Sequence, residues 1–173
     1  MLAPGVSLGL GVIESSLAQR ATQMSHTYTN LLYHVIFSTK ERRPFIDDEL
    51  KPRLHGYLGG IATDIDCLPI KIGGVADHVH LLLKIPAKLA VSEVLRLLKC
   101  NSSGWVHDEF PQLKRFAWQE GYGAFTVSPS KKSDVEQYIA NQEDHHLRRS
   151  FQEEFVTLLE KHEIEFDPAT IWL

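Results

Sequence analysis

The chain has 173 residues, of which 43% are hydrophobic and 23% are charged, and its formal net charge is −4 at pH 7. This composition excludes a disordered or collagen-like chain and is typical of a soluble globular domain with a hydrophobic core. No apolar run of about 20 residues is present, which excludes a transmembrane helix and predicts that no membrane is a partner. Cys67 and Cys100 lack the spacing of metal ligands, so we expect two reduced thiols.

The first 23 residues differ from the rest of the chain. Residues 1–23 contain one acidic and one basic residue, and they show no apolar period that continues further on. A secretory signal would need a basic region before its apolar stretch, and that region is missing. We therefore expect a misassigned start or a disordered extension at residues 1–23, one domain at residues 24–173, and a cytoplasmic location.

Hydrophobic periodicity predicts the first strands and the first helix. Residues 28–38 alternate between two largely apolar faces, which is typical of a central strand. A helix follows at residues 47–62, with Leu50, Leu54 and Leu58 on one apolar stripe. A strand near residues 68–72 then leads into the strand that begins at His78, and Gly73-Gly74 is predicted to form the tight turn of this hairpin.

Two further elements complete the pattern. Residues 92–109 are predicted to form an amphipathic helix capped by Ser92. Residues 118–127 form the next strand, which Gly121 and Gly123 interrupt, so a bulge or a close backbone approach is expected there. The order βαββαβ, followed by a further helix, predicts a ferredoxin-like or RNA-recognition-motif-like α+β fold, with an antiparallel sheet and helices on one face.

Aromatic residues lie in the predicted last strand and in the C-terminal region. Trp118, Tyr122 and Phe125 could offer a stacking surface for an unpaired base, but we expect at least two of them to belong to the core. Residues 151–173 are predicted to begin as a helix whose Phe155, Leu158 and Leu159 pack inward.

Two histidines share one face of the strand that begins at His78. Side chains alternate across a strand, so His78 and His80 point the same way while Val79 faces a core. Neutral imidazole nitrogens are common ligands of divalent ions. The pair is a candidate metal site, although two unrelated histidines on a half-exposed strand would give the same pattern.

A second pattern lies at residues 133–142. Ser133 is predicted to cap a helix, and Glu136, three residues later, would complete a capping box. On that helix Tyr138 and Gln142 are four residues apart and therefore share one face. A phenol and an amide would then be neighbours, unless the helix merely half-buries a tyrosine beside a solvated glutamine.

Together these patterns resemble the single-tyrosine HUH endonucleases, specifically the small transposases of single-strand insertion sequences and their relatives associated with repetitive extragenic palindromes. The resemblance extends over residues 25–160. It is carried by five stretches in the same order: residues 28–40, the strand with His78 and His80, Asn101-Ser102-Ser103, residues 118–128, and the helix with Tyr138.

The resemblance implies an enzyme that cuts and rejoins single-stranded DNA. Members of this family bind a divalent cation through two histidines and a glutamine, which here are His78, His80 and Gln142. Their tyrosine, here Tyr138, attacks the scissile phosphate, stays attached to the 5′ end and leaves a free 3′ hydroxyl. Recognition of DNA hairpins and a homodimer that shares its active sites are implied in the same way, with residues 128–132 as the hinge of the tyrosine helix.

The donor atoms narrow the choice of ion. Mixed nitrogen and oxygen ligation fits Mg²⁺ or Mn²⁺. Zinc fits less well, because neither cysteine lies near the histidines and the third ligand would be an amide. His145 and His146 follow Gln142 closely enough for one of them to approach the site, whereas His34 and His107 are expected to be structural.

The net negative charge contrasts with a polyanionic substrate, because Lys and Arg usually dominate affinity for phosphates. Residues 143–173 hold eight acidic and three basic residues, whereas residues 24–142 hold thirteen acidic and fourteen basic ones. The acidity therefore belongs mainly to the C-terminal segment. Basic residues of the body are expected to line the DNA path, unless they are only solvated surface charges. They are Lys40, Arg42, Arg43, Arg96, Lys99, Lys131 and Lys132, with Lys114 and Arg115 as one more basic spot.

Two other functions fit the same sequence. One is a domesticated HUH nuclease that processes chromosomal palindromes and would use the same residues. The other is a non-catalytic module that binds single-stranded nucleic acid. An RNA-recognition domain carries aromatic residues on its central strands, whereas this chain carries a histidine pair there together with Tyr138, which favours an enzyme.

Overall fold

A computed structural model describes residues 28–147 and 149–172, and the extension predicted at residues 1–23 lies outside these ranges. Four strands form one antiparallel sheet in the order β2-β3-β1-β4, and helices follow β1 and β3, which confirms the βαββαβ prediction. The strands are β1 Leu32–Ser38, β2 Leu68–Val75, β3 His78–Lys84 and β4 Gly123–Val127. The helices are α1 Leu50–Asp64, α2 Val91–Glu109, α3 Lys132–Ala140, α4 Gln142–His146 and α5 Phe151–Lys161.

One face of the sheet forms the main hydrophobic core. β1 lies between β3 and β4, as its two apolar faces predicted. Its Val35 and Phe37, together with Leu81 of β3, are buried against the apolar sides of α1 and α2. The predicted leucine stripe of α1 is buried in the same core, and it consists of Leu50, Leu54 and Leu58.

The opposite face carries the histidines and is covered by the C-terminal helices. Cross-strand pairing places Ile36 opposite His80 and Ser38 opposite His78. A second apolar cluster joins Ile36 to residues of α5 and seals this face. Its other members include Phe125, Phe151, Phe155, Leu158 and Leu159, so the inward packing predicted for α5 is confirmed.

Two predicted helix caps are wrong. Ser92 is the second residue of α2, whose N-cap is Ala90 and has no side-chain hydrogen bond. Ser133 does not cap α3, because a 3-10 turn runs directly into the helix and places Ser133 inside it. The capping box lies instead at the start of α5, where the Ser150 hydroxyl accepts from the Glu153 amide and the Glu153 side chain accepts from the Ser150 amide.

The glycine pair of the β2-β3 hairpin does not form its turn. β2 continues to Val75, and the turn is made by Ala76 and Asp77. Gly73 is needed because a Cβ there would lie 2.4 Å from the carbonyl oxygen of Ile139 in α3. Gly74 has φ +149°, and a Cβ there would lie 2.3 Å from the His78 carbonyl oxygen. The glycines therefore allow close backbone contacts inside the hairpin and with α3.

The last strand is shorter than predicted. β4 begins at Gly123, and Trp118 pairs with the sheet only through an isolated bridge to Thr39. Gly123 provides the expected close approach, because a Cβ there would lie 2.8 Å from the Phe155 ring. Within the described ranges, each helix is too short or too polar to cross a bilayer.

Candidate active site

The two strand histidines are held by hydrogen bonds on the side away from the site. The side chains of His78 and His80 are fully buried. His78 Nδ1 donates to Asp77 Oδ1 at 2.6 Å, and His80 Nδ1 shares a 3.0 Å hydrogen bond with His34 Nε2. Within the described residues, both Nε2 atoms are buried and have no hydrogen-bond partner. A metal-ligating histidine has this arrangement, with one nitrogen oriented by a neighbour and the other directed at the ion.

Gln142 supplies a third buried atom without a partner. The predicted continuous helix is interrupted, because α3 ends at Ala140 and Gln142 begins α4. The amide still reaches the histidine site, where its Nε2 donates to Glu154 Oε1 at 3.1 Å. Its Oε1 has no hydrogen-bond partner among the described residues. The three residues predicted to bind a metal thus each offer one unpaired atom, so this donor set fits a divalent cation.

Tyr138 lies beside the histidines of its own chain. Its ring centroid is 5.9 Å from that of His80 and 6.0 Å from that of His34. Its hydroxyl donates a short hydrogen bond to Glu154. Burial, reinforced by this carboxylate, raises the pKa of the Tyr138 phenol well above its usual value. The phenol is therefore protonated in this conformation.

Glu154 of α5 is the residue that the sequence patterns missed. Its carboxylate accepts from His146 Nε2 at 2.9 Å, and it lies 3.6 Å from His78 Nε2 and 3.5 Å from His80 Nε2. Of the two histidines after Gln142, His146 reaches the carboxylate, whereas the His145 ring packs against that of Tyr138 with centroids 4.9 Å apart. A usable signal for Glu154 exists, because it lies three residues after Phe151 on the apolar stripe of α5, where a charged residue is unusual.

The charges in the site are strongly coupled. Burial alone would raise the pKa of Glu154, but its hydrogen bond with His146 and its contacts with His80 and Tyr138 hold that pKa well below the usual value. Burial alone would lower the pKa of His146, but Glu154 outweighs it and raises that pKa. Burial lowers the pKa of His80 to about 4 and that of His34 to about 3, so both are neutral at pH 7.

Comparison with known proteins identifies the family. Residues 27–142 match the family model described as IS200-like transposases. The chain is also 31% identical over 124 residues to the transposase for insertion sequence element IS200 of Salmonella typhimurium, a match that covers 69% of this chain and 81% of that relative. The chain belongs to the IS200-like transposase family. Because the matched segment ends at Gln142, both His146 and Glu154 of this transposase lie beyond it.

Solved structures agree with this assignment. A putative transposase from Deinococcus radiodurans R1 superimposes with a TM-score of 0.57 at 29% identity, over 69% of this chain and 97% of that one. A REP-associated tyrosine transposase bound to a REP hairpin superimposes with a TM-score of 0.50 at 12% identity, over 73% of each chain. The second likeness is one of fold.

The predicted DNA-binding residues do not form one surface. Lys40 and Arg43 line a cleft of about 570 Å³ together with Lys114 and Arg115, but Glu41 lines the same cleft and pairs with Arg43 at 2.6 Å. Lys40 follows the end of β1, and the cleft is also lined by His107 of α2 and by Phe116 of the main core.

The other predicted cations are engaged in local contacts. Arg96 pairs with Glu93, Lys131 with Asp134 and Lys132 with Glu136, each on the same helix or turn. The guanidinium of Arg42 lies over the Trp172 ring, and the half-buried Lys99 amine donates to the backbone carbonyls of residues 119–121.

Three other expectations can be compared with the structure. His107 is structural, with its Nε2 2.8 Å from the Phe116 carbonyl oxygen. Trp118 and Phe125 are buried in the core, whereas Tyr122 is 40% exposed. Cys67 and Cys100 are free thiols.

Proposed function

We propose that this transposase cleaves and rejoins single-stranded DNA at the ends of an insertion sequence through a covalent 5′-phosphotyrosine intermediate, in a metal-dependent reaction. Tyr138 is the nucleophile, and His78, His80 and Gln142 are the metal ligands. The observation that carries this proposal is the set of three buried, unpaired ligand atoms from these residues, one on each, beside the Tyr138 ring.

The reaction exchanges one phosphate ester for another. The Tyr138 oxygen attacks phosphorus, the bond from phosphorus to the 3′ oxygen breaks, and the departing oxygen takes up a proton as the phenol loses one. Attack by a DNA 3′ hydroxyl on the phosphotyrosine reverses these steps and frees the phenol. A bound divalent ion would supply polarisation of the scissile phosphate and neutralisation of its developing charge. Because an ester bond is conserved throughout, the strand is resealed without ATP.

The chain's own residues determine when the tyrosine can react. In this conformation the Tyr138 hydroxyl donates to Glu154, and its pKa is raised. A protonated phenol is a poor nucleophile. Separation of Tyr138 from Glu154 would remove both the bond and the neighbouring negative charge, so we expect it to precede cleavage.

The DNA path of this proposal runs along the basic cleft. Lys40, Arg43, Lys114 and Arg115 line it, together with Glu41. Single-stranded DNA with hairpins is the proposed partner, in keeping with the REP hairpin bound by the structurally similar tyrosine transposase. A homodimer that shares its active sites is proposed from the family resemblance. The proposed hinge is the exposed stretch of residues 128–132, which contains the 3-10 turn leading into α3.

An adduct assay tests the nucleophile and the metal together. Wild-type protein and Tyr138→Phe are incubated with end-labelled, hairpin-containing single strands from the flanks of the gene, with Mg²⁺, Mn²⁺ or chelator. We expect a denaturant-resistant protein–DNA adduct with the wild-type protein and metal, and none with chelator or with Tyr138→Phe. The matched control is Tyr57→Phe, because Tyr57 stacks on Trp105 at the opposite face of the sheet. An adduct of equal yield with Tyr138→Phe would contradict the proposal.

A mixing experiment tests the shared active site. Tyr138→Phe and His78→Ala are each inactive in the proposed mechanism, but a mixed dimer contains one intact tyrosine and one intact histidine pair. Recovery of adduct on mixing indicates that the tyrosine acts on the partner's histidine site. No recovery, with mixed dimers present, contradicts that arrangement.

The salt dependence of DNA binding tests the cleft. Lys114→Ala combined with Arg115→Ala should lower the slope of log affinity against log salt by about 1.4, since each phosphate contact on a single strand contributes about 0.7. The control is Lys88→Ala, because Lys88 is paired with Asp66 elsewhere on the surface. An unchanged slope in the double variant would exclude the cleft as the DNA path.

A further inference from the structure

His146 and Glu154 form a second set of donors around the two strand histidines. One ligand atom from each of His78, His80, His146 and Glu154 lies within 4.8 Å of every other. The carboxylate is 3.6 Å from His78 Nε2 and 3.5 Å from His80 Nε2. Neighbouring ligands of a tetrahedral ion with bonds of about 2.0–2.1 Å are separated by about 3.3 Å. The two carboxylate contacts, one through each oxygen, are close to that spacing, and the set as a whole would contract around an ion.

We propose that His146 and Glu154 join His78 and His80 as ligands of one divalent transition-metal ion. We call this arrangement, in which Glu154 contacts both strand histidines, the closed conformation. The inference rests on the proposed function, because it shares the two histidines of the proposed active site. It adds two ligands that lie beyond the segment matched by the family. Gln142 is not a ligand in this state, and its Oε1 remains unpaired within the described part of the chain.

The donor set determines which ions fit. Three imidazoles and one carboxylate match the nitrogen and oxygen ligands of four-coordinate Zn²⁺, and Co²⁺ accepts the same ligands. Mg²⁺ is poorly matched, because it takes oxygen ligands in an octahedral arrangement. The sequence disfavoured zinc because the third ligand would be an amide. In the closed conformation a carboxylate and an imidazole replace that amide. The ligand set then favours Zn²⁺ over Mg²⁺.

The closed ligand set is well supported by its surroundings. Asp77 and His34 orient the two strand histidines through their Nδ1 atoms. The capping box at Ser150 fixes the start of α5, and Phe151 anchors the helix on the sheet. Glu154 is therefore held in a buried position with its carboxylate directed at the histidines. Ligands that are oriented before the ion arrives increase affinity.

A closed site has a consequence for the reaction. Structural metal sites use four protein ligands, whereas catalytic sites keep a position open for substrate. Glu154 fills that position here and also accepts the hydrogen bond of Tyr138. With an ion held in this way, Glu154 would have to leave before a DNA phosphate could bind, and Gln142, whose Oε1 is unpaired, would be available as its replacement.

A Co²⁺ titration of the DNA-free protein tests the ligand set by a readout other than activity. Four-coordinate cobalt absorbs visible light intensely and six-coordinate cobalt absorbs weakly, while competition with a chromophoric chelator gives the affinity. We expect intense absorption from the Co²⁺-loaded wild-type protein, and we expect that absorption to be lost when Zn²⁺ displaces the Co²⁺. Glu154→Gln and His146→Ala should each lose this absorption and weaken affinity by at least about tenfold, since even residues that only orient a ligand contribute about 10- to 100-fold.

Two matched controls remove the same chemical groups outside the ligand set. Glu160→Gln neutralises an exposed carboxylate on α5, and His107→Ala removes an exposed imidazole on α2. Both should bind Co²⁺ like the wild-type protein. Thermal melts in chelator separate loss of fold from loss of ligand. If a variant does not fold, the wild-type spectrum decides, because weak six-coordinate absorption there would overturn the inference.

The outcomes also separate this inference from the proposed function. If His78→Ala abolishes Co²⁺ binding while Glu154→Gln and His146→Ala bind normally, the closed ligand set is wrong and the proposed function stands. If His78→Ala and His80→Ala also bind normally, the metal site of the proposed function is wrong as well.

Discussion

The two faces of the sheet are both buried but are stabilised differently. The face under α1 and α2 is a continuous apolar core, in which Leu81 and its neighbours need only volume and shape to pack. The face under α5 buries His34, His78 and His80, and some of their polar atoms are unpaired. Unpaired buried polar atoms destabilise a fold, so the second face sacrifices stability for chemistry. Neighbouring residues of one strand thus belong to faces with different roles, and substitutions can test the two faces separately.

Leu81→Ala should have the largest effect on stability. Loss of this fully buried side chain from the apolar face is expected to lower the free energy of unfolding by about 2–5 kcal/mol, with or without metal. Urea unfolding in chelator measures it. His78→Leu, on the other face of the same strand, should cost less, because it removes an unpaired nitrogen and leaves Asp77 partly exposed to water. Equal losses in the two variants would contradict the difference between the faces.

Lowering the pH should destabilise the fold through its buried histidines. In the folded state the pKa of His80 is about 4 and that of His34 about 3, against 6.5 when unfolded. The unfolded chain therefore binds more protons below pH 6.5, and stability falls as pH falls toward 4. The expected loss is on the order of 2 kcal/mol for each of the two histidines at pH 5.

The other pair in the site offsets this loss only above about pH 6.5. The raised pKa of His146 gives a contribution that is full below pH 6.5 and is lost as pH rises through that pKa. The lowered pKa of Glu154 gives a contribution that is lost only below about pH 4.5. Unfolding midpoints in chelator at pH 7.0, 6.0 and 5.0 test the window. His34→Leu should flatten the dependence, so equal slopes in the wild-type protein and this variant would refute this account.

Ser150→Ala should have the smallest effect of the three and the most local one. Loss of the capping box is expected to cost about 1 kcal/mol at the start of α5. Hydrogen exchange should therefore quicken in α5 before it does in α1 or α2. Ser130→Ala, which loses only a bond to another exposed serine, is the matched control. Uniform changes over both faces would mean that α5 does not open independently.

Much of the fold could be predicted because periodicity reports burial directly. The alternation in β1 and the leucine stripe of α1 led to the correct sheet and core. Caps were harder, because Ser133 and Ser150 both precede a glutamate by three residues and only the backbone entering each helix distinguishes them. Gly73-Gly74 was predicted to form a turn, because the sequence does not show that α3 approaches these glycines.

The candidate site could be predicted only where its residues share a local pattern. His78 and His80 lie two apart on one strand, and Tyr138 and Gln142 lie four apart near one helix. His34 and Glu154 come from distant parts of the chain and meet the site only through the strand register and the docking of α5. Their roles depend on tertiary packing, which spacing alone does not encode.

The contact at Gly73 sets the position of the tyrosine helix in a particular way. Gly73 pairs with His80 in the sheet, and the Ile139 carbonyl, one residue from Tyr138, lies directly over it. The separation between the helix of Tyr138 and β2, the neighbour of the histidine strand, is thus set by close contact of main chain with main chain. Sequence drift on the surrounding surfaces can therefore proceed while the reach of the tyrosine stays constant, and a single methyl group at position 73 would be enough to change it.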